Sequence, residues 1–409
     1  VYPIDELSPY IVRDNNKCIQ CMRCVAACKN VQAVSVIGPI KRGYNVHVGC
    51  AFEKSLADSP CVGCGQCIVA CPVGALNEKS QIDAVWDAIS TPDKKVVFFT
   101  APSIRATLGE SFNMPIGTNV EGKMVAAIRR LGVDAVFNMD VTADLTIMEE
   151  ANELVERIKK KGTLPMFTSC CPGWIKFVEH YYPEMIPNLS TCKSPQQMFG
   201  AVLKSYYCQK TGINPKDLFV VSVIPCTAKK FEVGREEQQT FDFQDVDVAL
   251  TTRELAKMIK GAGIKFTEIK NESFDSPFGT ASGGGAIFGA TGGVMEAALR
   301  TAASMLDGNF KKIDFPEVRG TDPIKEAVYE VAGIEVRVAV TSGLGNARKL
   351  LEDIKSGKKN YHMVEVMACP GGCINGGGQP VQSDSIRNYT DLKGLRSKAL
   401  YDYDRRSEL

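Results

Sequence analysis

Cys18-Ile19-Gln20-Cys21-Met22-Arg23-Cys24-Val25-Ala26-Ala27-Cys28 and Cys61-Val62-Gly63-Cys64-Gly65-Gln66-Cys67-Ile68-Val69-Ala70-Cys71-Pro72 repeat one spacing: three cysteines two residues apart, then a fourth after three more. Two intervening residues let a loop wrap three thiolates around one corner of an iron–sulfur cube, and a helix then carries the fourth cysteine away. A pair of zinc ribbons would use two-plus-two spacing instead. A disulfide framework belongs to small secreted domains and does not fit sixteen cysteines in a 409-residue chain. Lys29 stands where the second run has Pro72, which weakens the turn signal of the first run but not its ligand count. Cys50, between the runs, reads as a free or packed thiol.

The doubled run resembles that of bacterial two-cluster ferredoxins. The resemblance implies crossed ligation: Cys18, Cys21, Cys24 and Cys71 on one 4Fe–4S cluster, and Cys61, Cys64, Cys67 and Cys28 on the other. Residues 1–82 are therefore expected to form an α+β ferredoxin-like domain. Its core would be small, so bound clusters must supply much of its folding energy. The remainder, 83–409, has a different texture. Continuous apolar runs such as Val96-Val97-Phe98-Phe99 and Val220-Val221-Ser222-Val223-Ile224 alternate with helical stretches at Lys123 to Leu131, Leu145 to Lys161 and Thr252 to Gly261. That alternation predicts a large α/β domain of two lobes with mostly parallel sheets around a buried metal cluster.

The net charge of +1 gives no global field to recruit nucleic acid or anionic lipid. No apolar stretch approaches the ~20 residues that span a bilayer. The chain begins at Val1 without a basic–apolar–small signal, which reads as a processed chain or a piece of a longer one, and a cytoplasmic location is expected. The Gly-rich stretch Ser282-Gly283-Gly284-Gly285-Ala286 to Gly293 matches neither a dinucleotide fingerprint nor a P-loop, so it predicts close backbone packing around a buried group. His47, His180 and His362 form no ligand spacing.

Three further cysteine motifs end or follow apolar segments: Thr168-Ser169-Cys170-Cys171-Pro172-Gly173-Trp174, Pro225-Cys226-Thr227-Ala228-Lys229-Lys230, and Met367-Ala368-Cys369-Pro370-Gly371-Gly372-Cys373-Ile374-Asn375-Gly376-Gly377-Gly378. Strand ends are where α/β sheets gather ligand sites. At these residues the chain resembles an iron-only (FeFe) hydrogenase, over nearly its whole length. The resemblance implies that Cys171, Cys226, Cys369 and Cys373 hold a third 4Fe–4S cluster. It also makes Cys373 the bridge to a diiron subsite bearing CO, cyanide and a bridging dithiolate. A C-terminal small-subunit-like segment is expected from about residue 374.

The same resemblance makes Cys170 the proton donor and acceptor beside the open iron, with a relay through Glu150, Ser190 and Glu153 to solvent. Glu150 and Glu153 are three apart on one helix and share a face. Lys229 is expected to hydrogen-bond a cyanide. Ala101, Pro102, Ser103, Gln196, Phe288 and Met367 match the pocket lining, and Ile224 stands where the family often has Met. Cys192 and Cys208 read as structural residues in helical, partly apolar surroundings. The function implied is 2H⁺ + 2e⁻ ⇌ H₂. H₂ and protons would be the substrates, ferredoxin or flavodoxin the electron partner, and dedicated maturation proteins the source of the diiron unit. A hydrogen sensor on the same scaffold and a non-catalytic cluster carrier are the alternatives.

Overall fold

The computed structural model describes residues 1–307, 314–331 and 334–407. In its N-terminal part, β1 (Ile11–Arg13), β2 (Gly38–Ile40), β3 (His47–Gly49) and β4 (Leu76–Glu78) form two antiparallel pairs, β1 with β4 and β2 with β3. Tyr10, Ile11, Ile37, Val48, Leu56, Ile68 and Leu76 pack there among the cysteines. This is little apolar material for a separate folding unit.

Two four-stranded sheets follow. β5 (Lys95–Thr100), β6 (Ala135–Asn138), β8 (Leu218–Ile224) and β9 (Val248–Thr251) make an all-parallel sheet in the order β6-β5-β8-β9. β7 (Met166–Phe167), β10 (Ile324–Val331), β11 (Ile334–Ser342) and β12 (Met363–Met367) make the second, ordered β10-β11-β12-β7, with only the β10–β11 pairing antiparallel. Val96 to Phe99 and Val220 to Ile224 are buried along their whole length, because helices cover both faces of the first sheet.

The helix Thr252–Gly261 has the predicted bounds and carries a capping box: Glu254 N donates to Thr251 Oγ1 at 3.1 Å, and Thr251 N donates to Glu254 Oε2 at 2.8 Å. The stretch predicted at Leu145–Lys161 begins earlier and runs Asp140–Lys159. Asp140 in its first turn and Arg157 and Lys159 in its last complement the helix dipole, a signal that apolar periodicity does not carry. Among the described residues, no helix is long and apolar enough to cross a membrane.

The Gly-rich stretch is a packing device, as its sequence predicts. Ser282 caps the short helix Gly283–Ile287, and the segment crosses the helix Asp140–Lys159 at contact distance. A Cβ on Gly285 would stand 2.5 Å from the Asp140 carbonyl oxygen, a backbone atom that no rotamer change can move aside. Gly285→Ala is therefore expected to destabilise the protein by about 1–3 kcal/mol. The check is the denaturation midpoint of the variant against wild type, and an unchanged midpoint would refute the close crossing.

Candidate active site

The C-terminal ends of strands from both sheets converge on one cavity of about 80 Å³. Cys226 follows β8 in the first sheet, whereas Cys170 and Cys171 follow β7 and Cys369 follows β12 in the second. With Cys373 these sulfurs all line the cavity. Ala101, Pro102 and Ser103 reach it from the end of β5, and Gln196, Ile224, Lys229, Phe288 and Met367 complete the predicted lining. Every pocket residue expected from the sequence is thus in its wall. Met139, Pro195 and Pro225 line it as well and had no sequence signal beyond their neighbours.

The donor set suits a polynuclear iron cofactor. Burial, then the charge of the neighbouring thiolates, pushes the Cys369 and Cys373 thiols upward, and Cys226 is raised to about 12. Sulfurs that repel one another when ionised fit a cationic cluster that takes the place of their protons. A Cβ on Gly372 would lie 2.6 Å from the Thr291 nitrogen, so only glycine lets the cysteine loop and the Gly-rich segment close together here. Cys171 Sγ accepts from the Ala368 amide at 3.4 Å.

Lys229 brings the cavity's cationic group. Burial presses its pKa down, but the Glu232 carboxylate, at 2.8 and 3.0 Å, outweighs this and the net shift is upward. Glu232 was not anticipated. Besides Lys229 it accepts from Gln196 Nε2 at 2.9 Å and Ser194 Oγ at 2.8 Å, so one carboxylate orients two cavity residues. The spacing Lys229–Glu232 in the helix Lys229–Val233 could have flagged it.

The file of residues expected to lead from Cys170 to the surface is Glu150, Ser190 and Glu153. Glu150 is fully buried, and neither of its oxygens has a hydrogen-bond partner among the described residues. Burial raises its pKa to about 7, partly offset by the nearby Ser190 hydroxyl and Ser169 amide, which lie too far off for a full hydrogen bond. Cys170 is pushed well up, by burial first and by the charge of Glu150 second. Ser190 Oγ donates to Glu153 Oε2 at 3.0 Å, and Arg157 Nη2 donates to Glu153 Oε1 at 2.6 Å. Arg157, one turn after Glu153, is a further member of the file that the sequence reading missed.

Cys192 departs from expectation. It lies in an irregular loop, with its sulfur 3.9 Å from Glu153 Oε2, and not in a helix. Ser194 caps the next helix, Pro195–Val202, from an extended backbone, so the residues just before it cannot be helical. Cys208 is helical and buried in the main core, as expected.

In the N-terminal part, Cys18, Cys21, Cys24 and Cys71 surround one small cavity of about 20 Å³. Cys28, Cys61, Cys64 and Cys67 are mutual neighbours around a second centre. The two runs share a backbone: Gln20 and Met22 in the first, and Gly63 and Gly65 in the second, are all left-handed. The first run adopts this turn without glycine, at a cost of ~1–3 kcal/mol per residue. Pro72 ends the second run's helix at Ala70, whereas the chain after Cys28 stays helical to Val31. Cys21 is exposed, and the Cys64 carbonyl lies 4.0 Å from Cys369 Sγ. The second set therefore abuts the central cavity. Cys50 is buried outside both sets, with the Arg13 guanidinium 3.9 Å away.

Two family models match the chain, and known proteins resemble it over most of its length. Residues 94–377 match the iron only hydrogenase large subunit, C-terminal domain, and residues 8–77 match the ferredoxin-like domain of NADH-quinone oxidoreductase subunit 3. The chain is 48% identical to the NADP-reducing hydrogenase subunit HndD of Solidesulfovibrio fructosivorans, over 98% of this chain and 68% of that one. It is 47% identical to iron hydrogenase 1 of Clostridium pasteurianum, over 98% and 70%. Among solved structures it is similar to the apo [FeFe]-hydrogenase HydA1 of Chlamydomonas reinhardtii, with a TM-score of 0.70 and 38% identity over 81% of this chain and 91% of that one.

Proposed function

The chain belongs to the iron-only hydrogenase family, and from that premise we propose that it interconverts protons and H₂ at the cavity between its two sheets, with Cys170 handling the proton. The observation that carries this reading is the convergence of Cys171, Cys226, Cys369 and Cys373, with Cys170 and Lys229, on one cavity. The relatives matched over 98% of this chain are named as hydrogenases, which implies H₂ and proton substrates and electron exchange with a partner. In the reading proposed for this chain, residues 1–82 form the electron-relay domain and 83–409 the catalytic domain.

Cys171, Cys226, Cys369 and Cys373 would hold the cubane, with Cys373 bridging to a diiron subsite carrying CO, cyanide and a dithiolate. When bound, that cofactor would supply the redox chemistry. The chain's own residues supply the rest. Lys229, kept cationic by Glu232, offers an ammonium to the negative ligands of the subsite. Ile224, Phe288 and Met367 form an apolar wall that excludes water. Cys170 gives and takes the proton, and Glu150, Ser190 and Glu153 pass it towards Arg157 and solvent. A carboxylic acid with a pKa of about 7 can both give and take a proton near neutral pH.

Electrons would enter at the cluster of Cys18, Cys21, Cys24 and Cys71, where Cys21 is exposed. They would pass through the cluster of Cys28, Cys61, Cys64 and Cys67, and cross at the Cys64–Cys369 contact. A ferredoxin or flavodoxin is the proposed electron partner, and maturation proteins the source of the diiron unit. A hydrogen-sensing role is the weaker reading, because the relatives matched over 98% of this chain are named as hydrogenases.

The test supplies the diiron cofactor anaerobically to protein expressed without maturation machinery. Before loading, iron–sulfur signals are expected without the infrared bands of CO and cyanide. After loading, the bands appear and hydrogen is evolved from a strong reductant. Fully loaded protein that evolves no hydrogen would overturn the reading.

A further inference from the structure

Two charged side chains buried outside the cavity meet at a single peptide bond. Glu365 lies on β12, two residues before Met367, and has no exposed surface. Its Oε1 accepts from the Gly292 amide and its Oε2 from the Met295 amide, both at 2.7 Å. Lys325, on β10, is also buried, and its Nζ donates to the Thr291 carbonyl at 3.1 Å and the Gly320 carbonyl at 2.9 Å. The Thr291–Gly292 peptide is thus held at its carbonyl by an ammonium and at its N–H by a carboxylate.

The segment gripped in this way faces the cysteine loop. The Thr291 amide donates to the Gly371 carbonyl at 3.2 Å, and the Ile374 amide donates to the Gly289 carbonyl at 2.9 Å. Between those two ties lies the chain that follows Phe288, whose side chain lines the cavity. Burying two charged groups is a poor way to gain stability, since apolar side chains of similar volume do as well or better. Charged groups with directional bonds do impose one geometry.

We propose that Glu365 and Lys325 are positioning residues that set Phe288 and the Cys369–Cys373 loop against each other across the cavity. The inference rests on the reading of that cavity as the diiron site. Neither side chain lines the cavity; both act through the Thr291–Gly292 peptide.

The test uses Glu365→Gln and the double variant Glu365→Gln/Lys325→Met. Glutamine offers one carbonyl oxygen to two amide donors and leaves Lys325 without its counter-charge; the double variant removes that orphan charge. In cluster-bearing protein, hydrogen exchange across residues 288–295 is expected to quicken roughly tenfold in both variants. In loaded protein, the CO and cyanide bands should shift or broaden, and turnover should fall roughly tenfold. The double variant should recover the melting temperature that the single one loses, but not the band positions. Wild-type exchange and bands beside a lowered melting temperature would make the pair purely structural and overturn the proposal. Failure of both variants to take up iron would overturn it too, as a folding role. Loaded wild type that evolves no hydrogen refutes the functional reading instead, while the exchange data still judge the clamp.

Discussion

Replacing Cys170 by alanine is expected to leave every iron–sulfur signal and the CO and cyanide bands in place while cutting hydrogen turnover by on the order of 10²–10⁴-fold. Cys170 lines the cavity but is not among the four sulfurs assigned to the cubane, so its loss removes no ligand. What disappears is the proton at the start of the file. Alanine has none to give, and the apolar wall of Ile224, Phe288 and Met367 leaves little water to replace it. The size follows from the usual contribution of one positioned acid–base group. Iron content and infrared spectra show that the variant is loaded, and the hydrogen assay reads the loss. A loaded variant that turns over at the wild-type rate would mean that protons reach the cavity by another route.

The second large effect is expected at Glu150. Glu150→Gln keeps the shape of the side chain but cannot carry a proton onward, so turnover should fall by on the order of 10²-fold with loading unchanged. The same substitution has a signature in stability. Burial raises the Glu150 pKa from 4.5 to about 7. Between those values the native state holds a proton that the unfolded chain has released, so this group's contribution to stability falls as pH rises through the window. The shift corresponds to about 3 kcal/mol, an order-of-magnitude figure for a buried group. Denaturation midpoints from pH 4.5 to 7 should therefore decline less steeply in the glutamine variant. Equal slopes would show that Glu150 is not buried as a neutral acid. An unchanged turnover would remove it from the relay.

The proposed cluster-binding runs stood out in the sequence because a cubane needs several thiolates at short, fixed chain spacings. Cys18 to Cys28 and Cys61 to Cys71 could be recognised from that alone. The second constellation was legible because its cysteines follow apolar strands, and strand ends of parallel sheets point into one crevice. Other residues left a fainter mark or none. The i,i+3 spacing could flag Glu232 beside Lys229, but its other partners, Ser194 at the start of another helix and Gln196 within it, are far away in the chain. Arg157 reaches Glu153 from one turn along the same helix, a spacing that solvated helices share, and Cys192 reaches it from a fold-dependent loop. The helix start at Asp140 was missed because its first turn reads as acidic and β-branched, and its burial depends on Arg105, whose Nη2 lies 2.7 Å from the Asp140 carboxylate.

The sequence by itself determined the parallel-sheet class and marked out the cysteines proposed here as cluster ligands. Both rest on local chemistry: ligand spacing and continuous apolar strands. Only the tertiary structure decided which carboxylates are buried, which charges meet and how closely the Gly-rich segment approaches the cysteine loop. Glu150 and Glu365 show why. Both are unremarkable glutamates in the chain, one on a helix and one on a strand. Burial raises the pKa of the first, and two 2.7 Å amide bonds hold the second. Desolvation and hydrogen-bond geometry depend on the surroundings of a side chain, and those surroundings come from residues distant in sequence.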